Sequence, residues 1–210
     1  DLFDELYGRV DPVPAERVQV VQDGESVDFA GREWTVLHTR GHADHHFCLH
    51  DAAAGALFAG DAFGLAYPDL QGHGVLAFPS TSPTGFRPAE ARASVERILE
   101  LEPDTVFLGH FGALEASALP EAARQLHRHL DFAEDLAREA EVSDLSDDEI
   151  QGWVHPRLVA YFQGVLDGLG PLGQDPKTGE LLAMDLDLNA QGIAFAAKKA
   201  RFKASRAAPG

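Results

Sequence analysis

The sequence predicts an α/β fold in which a β-rich first third is followed mainly by helices. Apolar and polar residues alternate along short segments of residues 17–60, a spacing typical of half-buried strands. A helical pattern that begins at Pro88 stops at Pro103 and leads into a short apolar strand, so helices and strands are interleaved. From Leu119 onward the apolar residues recur at helical spacing.

The predicted strands are short and are separated by turn residues. They are Arg17–Val21, Ser26–Phe29, Glu33–His38, His46–Asp51, Ala56–Ala59 and Thr105–Leu108. In the third of these, Trp34 and Val36 are expected on the sheet face opposite Leu37. Residues 62–87 show no period and are rich in Gly, Pro, Ser and Thr, which predicts a long loop of the kind that often carries function.

The second half of the chain is predicted to be mainly helical. Ser146 followed by Glu149 indicates a capping box that opens a helix. Further helices are expected at 88–102, 119–140, 156–169 and 189–202, with a Gly/Pro-rich loop at 168–179. We therefore predict a sheet-bearing domain over residues 1–114 and a mainly helical extension over 115–210, acting as a lid or a dimer interface in a homodimer.

Composition and charge narrow the classes of partner. The net charge of −17 disfavours nucleic acid and anionic membranes, and no apolar run approaches the ~20 residues that span a bilayer. Cys48 is the one cysteine, which excludes an internal disulfide, suits the reducing cytoplasm and predicts a small core residue. The tail is basic, and its cations are expected on a solvated helix face or at a helix end: Lys198, Lys199, Arg201, Lys203 and Arg206.

Three strand ends carry residues that bind metals. In each, a short apolar strand or its end leads through a glycine to His42, Asp61 or His110. A glycine at a strand end lets the backbone turn sharply, so the next side chain can enter a cleft above the sheet. Imidazole and carboxylate are ligands for zinc, iron and manganese. The pattern predicts that these three side chains converge on one point.

In this order the three segments resemble the second half of the metallo-β-lactamase superfamily. They are His38-Thr39-Arg40-Gly41-His42, Leu57-Phe58-Ala59-Gly60-Asp61 and Leu108-Gly109-His110. The resemblance implies that His42 binds one metal, that Asp61 bridges two metals and is catalytic, and that His110 binds the second. It implies two divalent ions, zinc first, with iron or manganese as alternatives. Arg40 stands where the family usually has Pro, a position that is not a ligand.

The signature His-x-His-x-Asp-His of that family does not occur in residues 1–41. We therefore expect the chain to supply the second half of an αββα sandwich, with upstream residues bearing the signature packed on its sheet. The apolar face expected to meet that segment includes Val18, Val20, Val36 and Leu57. Four further polar residues are candidates for contact with the cleft or the substrate: Asp44, His45, His46 and His73.

The function implied by the resemblance is a metal-dependent hydrolase acting on a small molecule. Metal ions lower the pKa of a bound water, and the resulting hydroxide attacks an ester, thioester, lactone or related bond. Two alternatives stay open: a di-iron redox protein of the same fold, and a catalytically inactive binding module that lacks half of the ligands. Metal content and identity distinguish the three.

Overall fold

The computed structural model describes residues 8–9, 11–72, 74–81, 85–110 and 112–207. Six strands in these residues form one mixed sheet whose spatial order follows the chain. All neighbours are antiparallel except β4 and β5, which are parallel and are joined by the long loop and the first helix. The strands are β1 (Ser26–Phe29), β2 (Arg32–His38), β3 (Phe47–Asp51), β4 (Ala56–Gly60), β5 (Thr105–Leu108) and β6 (Ala113–Glu115).

The first predicted strand is wrong, and one strand was missed. Residues 18–22 form no strand, and Ala15–Arg17 is a single 3₁₀ turn. Val18 and Val20 are 58% and 76% exposed, because no described strand lies beside this segment to cover their alternating side chains. The missed strand is β6, whose three residues are too few to show a period.

The two faces of the sheet have different surroundings. One face packs on helices and is buried, as predicted for Cys48, which is fully buried. The strand registers place Leu37 and Leu57 on this face but Val36 on the other. The expectation that Val36 and Leu57 share one face with Val18 and Val20 is therefore wrong, since both are fully buried and they point in opposite directions.

The face that carries Val36 is lined by aromatic rings. Trp34 on β2 meets the ring of Phe58 on β4 edge to face, with centroids 5.5 Å apart. Phe58 in turn stacks on Phe107 of β5 at 4.9 Å. Phe58 remains 45% exposed and Phe107 38% exposed. A continuous apolar strip thus crosses the sheet on the side away from the helices.

Four long helices follow, with bounds that differ from the predicted ones mainly in the last two. They are α1 (Pro88–Leu99), α2 (Leu119–Val142), α3 (Ile150–Asp167) and α4 (Pro176–Ala207). Helix α3 continues through Pro156 because buried residues four apart lie on both sides of it, at Val154 and Leu158. No helix in the described ranges is long and apolar enough to cross a membrane.

The apolar stripe predicted along α2 joins two hydrophobic cores. Its first turns, including Leu119 and Leu126, pack in one core with α1 and the buried face of the sheet. Its later turns, including Leu130 and Ala133, pack in a second core with α3 and α4. The stripe is therefore covered within the chain, while the boundary at residue 114 and the lid or dimer role of residues 115–210 stay predictions.

The loop after β4 is ordered by its own core residues. Leu65 and Phe78 pair as an isolated β-bridge and are buried. The side-chain amide of Gln71 donates to the carbonyl of Leu76 at 2.9 Å and accepts from the amide of Leu76 at 3.1 Å. Gln125 of α2 accepts from the amide of Ala77 at 2.9 Å. The described part of this loop is thus fixed against α2. The sequence of the loop has no period and did not predict this order.

His129 on α2 provides a pH-sensitive buried group. It is only 3% exposed, its Nδ1 lies 2.7 Å from the hydroxyl of Tyr161 on α3, and Arg128 is the charged neighbour on its own helix. Burial lowers the pKa of His129 to about 4, with Arg128 adding to the effect. The unfolded chain binds a proton near the ordinary value, so stability is present above about pH 6.5 and is lost toward pH 4.

When the pH is lowered from about 7 to about 5, the free energy of unfolding of the wild type should fall by about 2 kcal/mol more than that of His129→Gln. Glutamine keeps a polar partner for Tyr161 but does not titrate. Urea unfolding of both proteins at the two pH values measures the difference. Equal pH dependence in the two proteins would show that His129 titrates normally in the folded state.

Candidate functional site

The three strand ends meet at one end of the sheet. Nε2 of His42 lies 3.3 Å from Oδ2 of Asp61, and Nε2 of His110 lies 3.6 Å from Oδ1 of the same carboxylate. The side chains of His42 and Asp61 are 18% and 24% exposed, and that of His110 is 39% exposed. Each histidine therefore faces its own oxygen of a central carboxylate, in a cleft open to solvent.

The loop that carries His42 is held against α1. The hydroxyl of Ser94 donates to the carbonyl of Arg40 at 2.7 Å, and the guanidinium of Arg97 donates to the carbonyl of His38 at 3.1 Å. His38 thus supports the end of β2 through its main chain. With both carbonyls bound, the turn that follows β2 directs His42 toward Asp61.

The ring of His42 is oriented by a backbone carbonyl. Its Nδ1 lies 3.2 Å from the carbonyl oxygen of Ser80. A carbonyl only accepts, so Nδ1 carries the proton and Nε2 is left to face the carboxylate of Asp61. A lone pair facing a carboxylate is unfavourable unless a proton or a cation lies between them. The geometry therefore favours a positive group between His42 and Asp61.

His46 anchors the main chain of Asp61. The amide of Asp61 donates to Nε2 of His46 at 3.2 Å, so Nδ1 donates to Oγ1 of Thr39 at 2.8 Å. Thr39 then donates to Sγ of Cys48 at 3.1 Å, and Cys48 donates to the carbonyl of Ala59 at 3.4 Å. Burial lowers the pKa of His46. A neutral His46 is the form that this chain of hydrogen bonds requires.

Two glycines leave the space that this arrangement needs. A Cβ at Gly60 would lie 2.6 Å from Nε2 of His46. A Cβ at Gly109 would lie 2.6 Å from Oδ1 of Asp61. The glycines that precede Asp61 and His110 therefore serve close approach of side chains as well as the turn.

The other predicted contact residues fall in different places. Asp44 is exposed and its carboxylate pairs with Arg87. His45 is also exposed, whereas the ring of His46 meets that of His42 edge to face at 5.8 Å. His73 lies outside the described residues. Roles in substrate contact for these four residues stay predictions.

Sequence reasoning missed the residues that reach the site from the long loop and the last helix. The ring of Tyr67 meets that of His110 edge to face at 6.4 Å, and its hydroxyl donates to Asp185 of α4 at 2.8 Å. Ser80, which orients His42, lies in the same loop. Tyr67 and Asp185 are 118 positions apart in the chain, so no local pattern links them.

Comparison with known proteins identifies the family. The model of the metallo-beta-lactamase superfamily matches residues 3–110, which include all three strand ends. The chain belongs to the metallo-beta-lactamase superfamily. The resemblance that the motifs predicted is confirmed, and so is the α/β fold with a C-terminal helical region.

Several relatives of this superfamily member are known. A hydroxyacylglutathione hydrolase of Aeromonas hydrophila is 34% identical over 102 residues, which cover 48% of this chain and 35% of that protein. A beta-lactamase domain protein of Burkholderia ambifaria has a TM-score of 0.53 at 21% identity, covering 97% of this chain and 51% of that one. A metallo-beta-lactamase superfamily protein of Sulfolobus tokodaii has a TM-score of 0.52 at 21% identity, covering 91% of this chain and 57% of that one.

This chain covers only part of the length of these relatives. The chain spans about a third of the curated relative and 51–57% of the two solved structures. The two structures support the fold, and the hydrolase relative adds an enzyme of the same superfamily at low identity.

The donor atoms of this superfamily member partly fit a metal centre. Around a tetrahedral ion with bonds of ~2.0–2.1 Å, neighbouring ligand atoms lie ~3.3–3.4 Å apart. The 3.3 Å and 3.6 Å separations of His42 and His110 from Asp61 are close to that spacing. Within the ranges that the structure describes, no group of three or more acidic, His or Cys side chains is arranged so that it could hold a metal ion. Each histidine and the carboxylate are thus spaced as a pair of metal ligands would be, and a metal site built on them would need further ligands.

Proposed function

We propose that this chain contributes His42, Asp61 and His110 to the divalent-metal centre of a hydrolase that cleaves an ester, thioester, lactone or related bond. The observation that carries the proposal is the central carboxylate with one imidazole facing each of its oxygens. Superfamily membership and a relative named as a hydroxyacylglutathione hydrolase support it.

The chain's own residues have separate roles in this proposal. Asp61 would bridge two ions, and His42 and His110 would each hold one of them. Ser80 keeps the proton of His42 on Nδ1, so that Nε2 is available as a ligand. Divalent ions bound there supply positive charge and a water of lowered pKa. Zinc is the first expectation, since imidazole and carboxylate suit it.

We further propose that an upstream segment with the remaining ligands packs on the aromatic face of the sheet. Zinc takes three or four protein ligands, whereas these residues offer each ion one imidazole and one carboxylate oxygen. The exposed rings of Phe58 and Phe107 support a covering layer, because apolar surface gains about 25 cal/mol per Å² when it is buried. The 51–57% share of the solved structures is consistent with a further segment.

The test compares three site variants of the full-length protein, His42→Ala, Asp61→Asn and His110→Ala, with the control His155→Ala on α3. Bound metal is measured by elemental analysis, and hydrolysis is measured with a thioester, an ester and a lactone. We expect each site variant to lose metal and at least ~100-fold in rate, because even outer partners of ligands cost about 10–100-fold.

The control separates this result from a general effect of removing a histidine. His155 lies on α3 and lines a cleft between α3 and α4. It should keep the metal content and rate of the parent protein. Wild-type protein that holds two irons without hydrolysing any substrate would favour the redox alternative. Protein that neither binds metal nor hydrolyses would indicate an inactive module.

A further inference from the structure

We infer that Asp185 and Asn189, one turn apart on α4, are positioning residues that set the two histidines on either side of Asp61. This inference rests on the proposed function, because it assigns the C-terminal helix a part in shaping that site. It concerns residues more than 70 positions from the nearest predicted ligand. Their influence reaches the site through the loop after β4.

Asn189 forms hydrogen bonds to the residues on both sides of Ser80, which orients His42. Its Oδ1 accepts from the amide of Thr81 at 2.7 Å, and its Nδ2 donates to the carbonyl of Pro79 at 2.9 Å. Its main-chain carbonyl accepts from the hydroxyl of Thr81 at 3.0 Å. Ser80 lies between these two anchored residues, and its carbonyl accepts from His42. Asn189 thus fixes the peptide that selects the His42 tautomer.

Asp185 acts on His110, the histidine on the other side of the Asp61 carboxylate. It is 4% exposed and accepts a hydrogen bond from the hydroxyl of Tyr67 at 2.8 Å. The ring of Tyr67, held in this way, packs edge to face on His110. Asp185 therefore limits where the imidazole of His110 can turn.

Helix packing alone does not explain these two polar residues. The surrounding buried positions of α4 are apolar and pack in the core with α2 and α3: Leu182, Leu186, Ala190 and Ile193. Asp185 and Asn189 are each only 4% exposed, and a buried polar group is unfavourable unless it is hydrogen-bonded. The partners they satisfy belong to the loop after β4, whose described residues contact both histidines.

The experiment uses Asn189→Leu and Thr81→Val in the full-length protein, with Thr81→Ser as the conservative variant that keeps the hydroxyl. Gln191→Ala is the control, since Gln191 is on the same helix and donates to the exposed Asp187. The imidazole tautomers are measured on metal-free protein by long-range ¹⁵N–¹H NMR at a fixed alkaline pH. Affinity for zinc is measured by competition with a chelating dye.

We expect the Nδ1–H tautomer of His42 to be more populated in the wild type, Thr81→Ser and Gln191→Ala than in Asn189→Leu and Thr81→Val, where a displaced Ser80 carbonyl lets the proton move to Nε2, which faces Asp61. Zinc affinity should fall by ~10–100-fold in the latter two. The role of Asp185 is tested with Tyr67→Phe, which removes the hydroxyl that binds Asp185. This change should alter the NMR resonances of His110 but not those of His42.

The outcomes distinguish this inference from the proposed function. If Asn189→Leu and Thr81→Val both retain the wild-type tautomer and zinc affinity, Asn189 is a structural residue only and the inference is wrong. If the wild type binds no zinc but the tautomer still changes in both variants, the inference stands and the proposed function fails. If Asn189→Leu does not fold, the comparison of Thr81→Val with Thr81→Ser tests the inference.

Discussion

Gly41→Ala is expected to lower the free energy of unfolding by about 2–5 kcal/mol. Gly41 has φ of +121°, which residues with a Cβ rarely adopt. Its added methyl group would also overlap the main-chain nitrogen and Cα of Ala91 in the first turn of α1. Backbone strain contributes ~1–2 kcal/mol and the overlap with a rigid helix ~1–3 kcal/mol.

The matched control is Gly24→Ala. Gly24 has φ of +76°, but nothing lies within 4 Å of a Cβ built there, so this change introduces strain without overlap. Urea unfolding of the two variants should show a loss of about 1–2 kcal/mol for Gly24→Ala and clearly more for Gly41→Ala. Equal losses would mean that α1 moves away from Gly41 without cost.

The same substitution tests how His42 is placed. The carbonyl of Gly41 accepts from the amide of Arg87 at 2.9 Å, directly before His42. Displacing Gly41 from α1 should disturb this bond and the approach of His42 to Asp61. We therefore expect Gly41→Ala to lower bound metal as well as stability, whereas Gly24→Ala lowers stability only.

Arg201→Met should cost about 3 kcal/mol of stability by uncapping α2. The Arg201 guanidinium, from α4, donates to carbonyls of Ala140 at 2.6 Å, Glu141 at 2.9 Å, Ser143 at 2.8 Å and Leu145 at 2.6 Å. The last carbonyls of a helix have no partner within it and carry partial negative charge. Charge-assisted hydrogen bonds of this kind contribute ~1.5–3 kcal/mol each, of which solvent recovers part after mutation.

A graded series makes this prediction specific. Arg201→Lys keeps the charge but offers a single ammonium, so it should lose roughly half as much as Arg201→Met. Lys203→Met, at an exposed position two residues further along α4, should change stability by less than ~0.5 kcal/mol. Thermal and urea unfolding measure the series. The prediction is contradicted if Arg201→Met is as mild as Lys203→Met.

Arg201 also shows what can and cannot be predicted from the sequence. The basic run at residues 198–206 was expected on a solvated face or at a helix end, and Arg201 is the member that complements a helix end. The sequence does not show which helix end it serves. That end belongs to α2, about 60 positions earlier in the chain. Only the packing of α4 on α2 decides the pairing.

The strands and the helices differ in how well they were predicted. Strands β2 to β5 alternate between a helix-covered face and the aromatic face, so their periods are visible in the sequence. The valines of residues 17–21 alternate in the same way, yet they form no strand, because strand formation needs a neighbour that alternation cannot supply. Helix α3 passes through Pro156 because buried contacts on both sides outweigh local propensity.

The superfamily and the three strand-end residues His42, Asp61 and His110 were predictable from the amino-acid sequence. This was possible because each residue follows a strand and a glycine, a local arrangement with a local signature. The residues that orient these three side chains become visible only in the folded chain. Ser80, Tyr67, Asp185 and Asn189 act across 38 to 118 positions, through a loop without a period and a distant helix. Such contacts arise from packing, since a buried carbonyl, phenol or amide leaves no pattern in the chain until its partner is beside it.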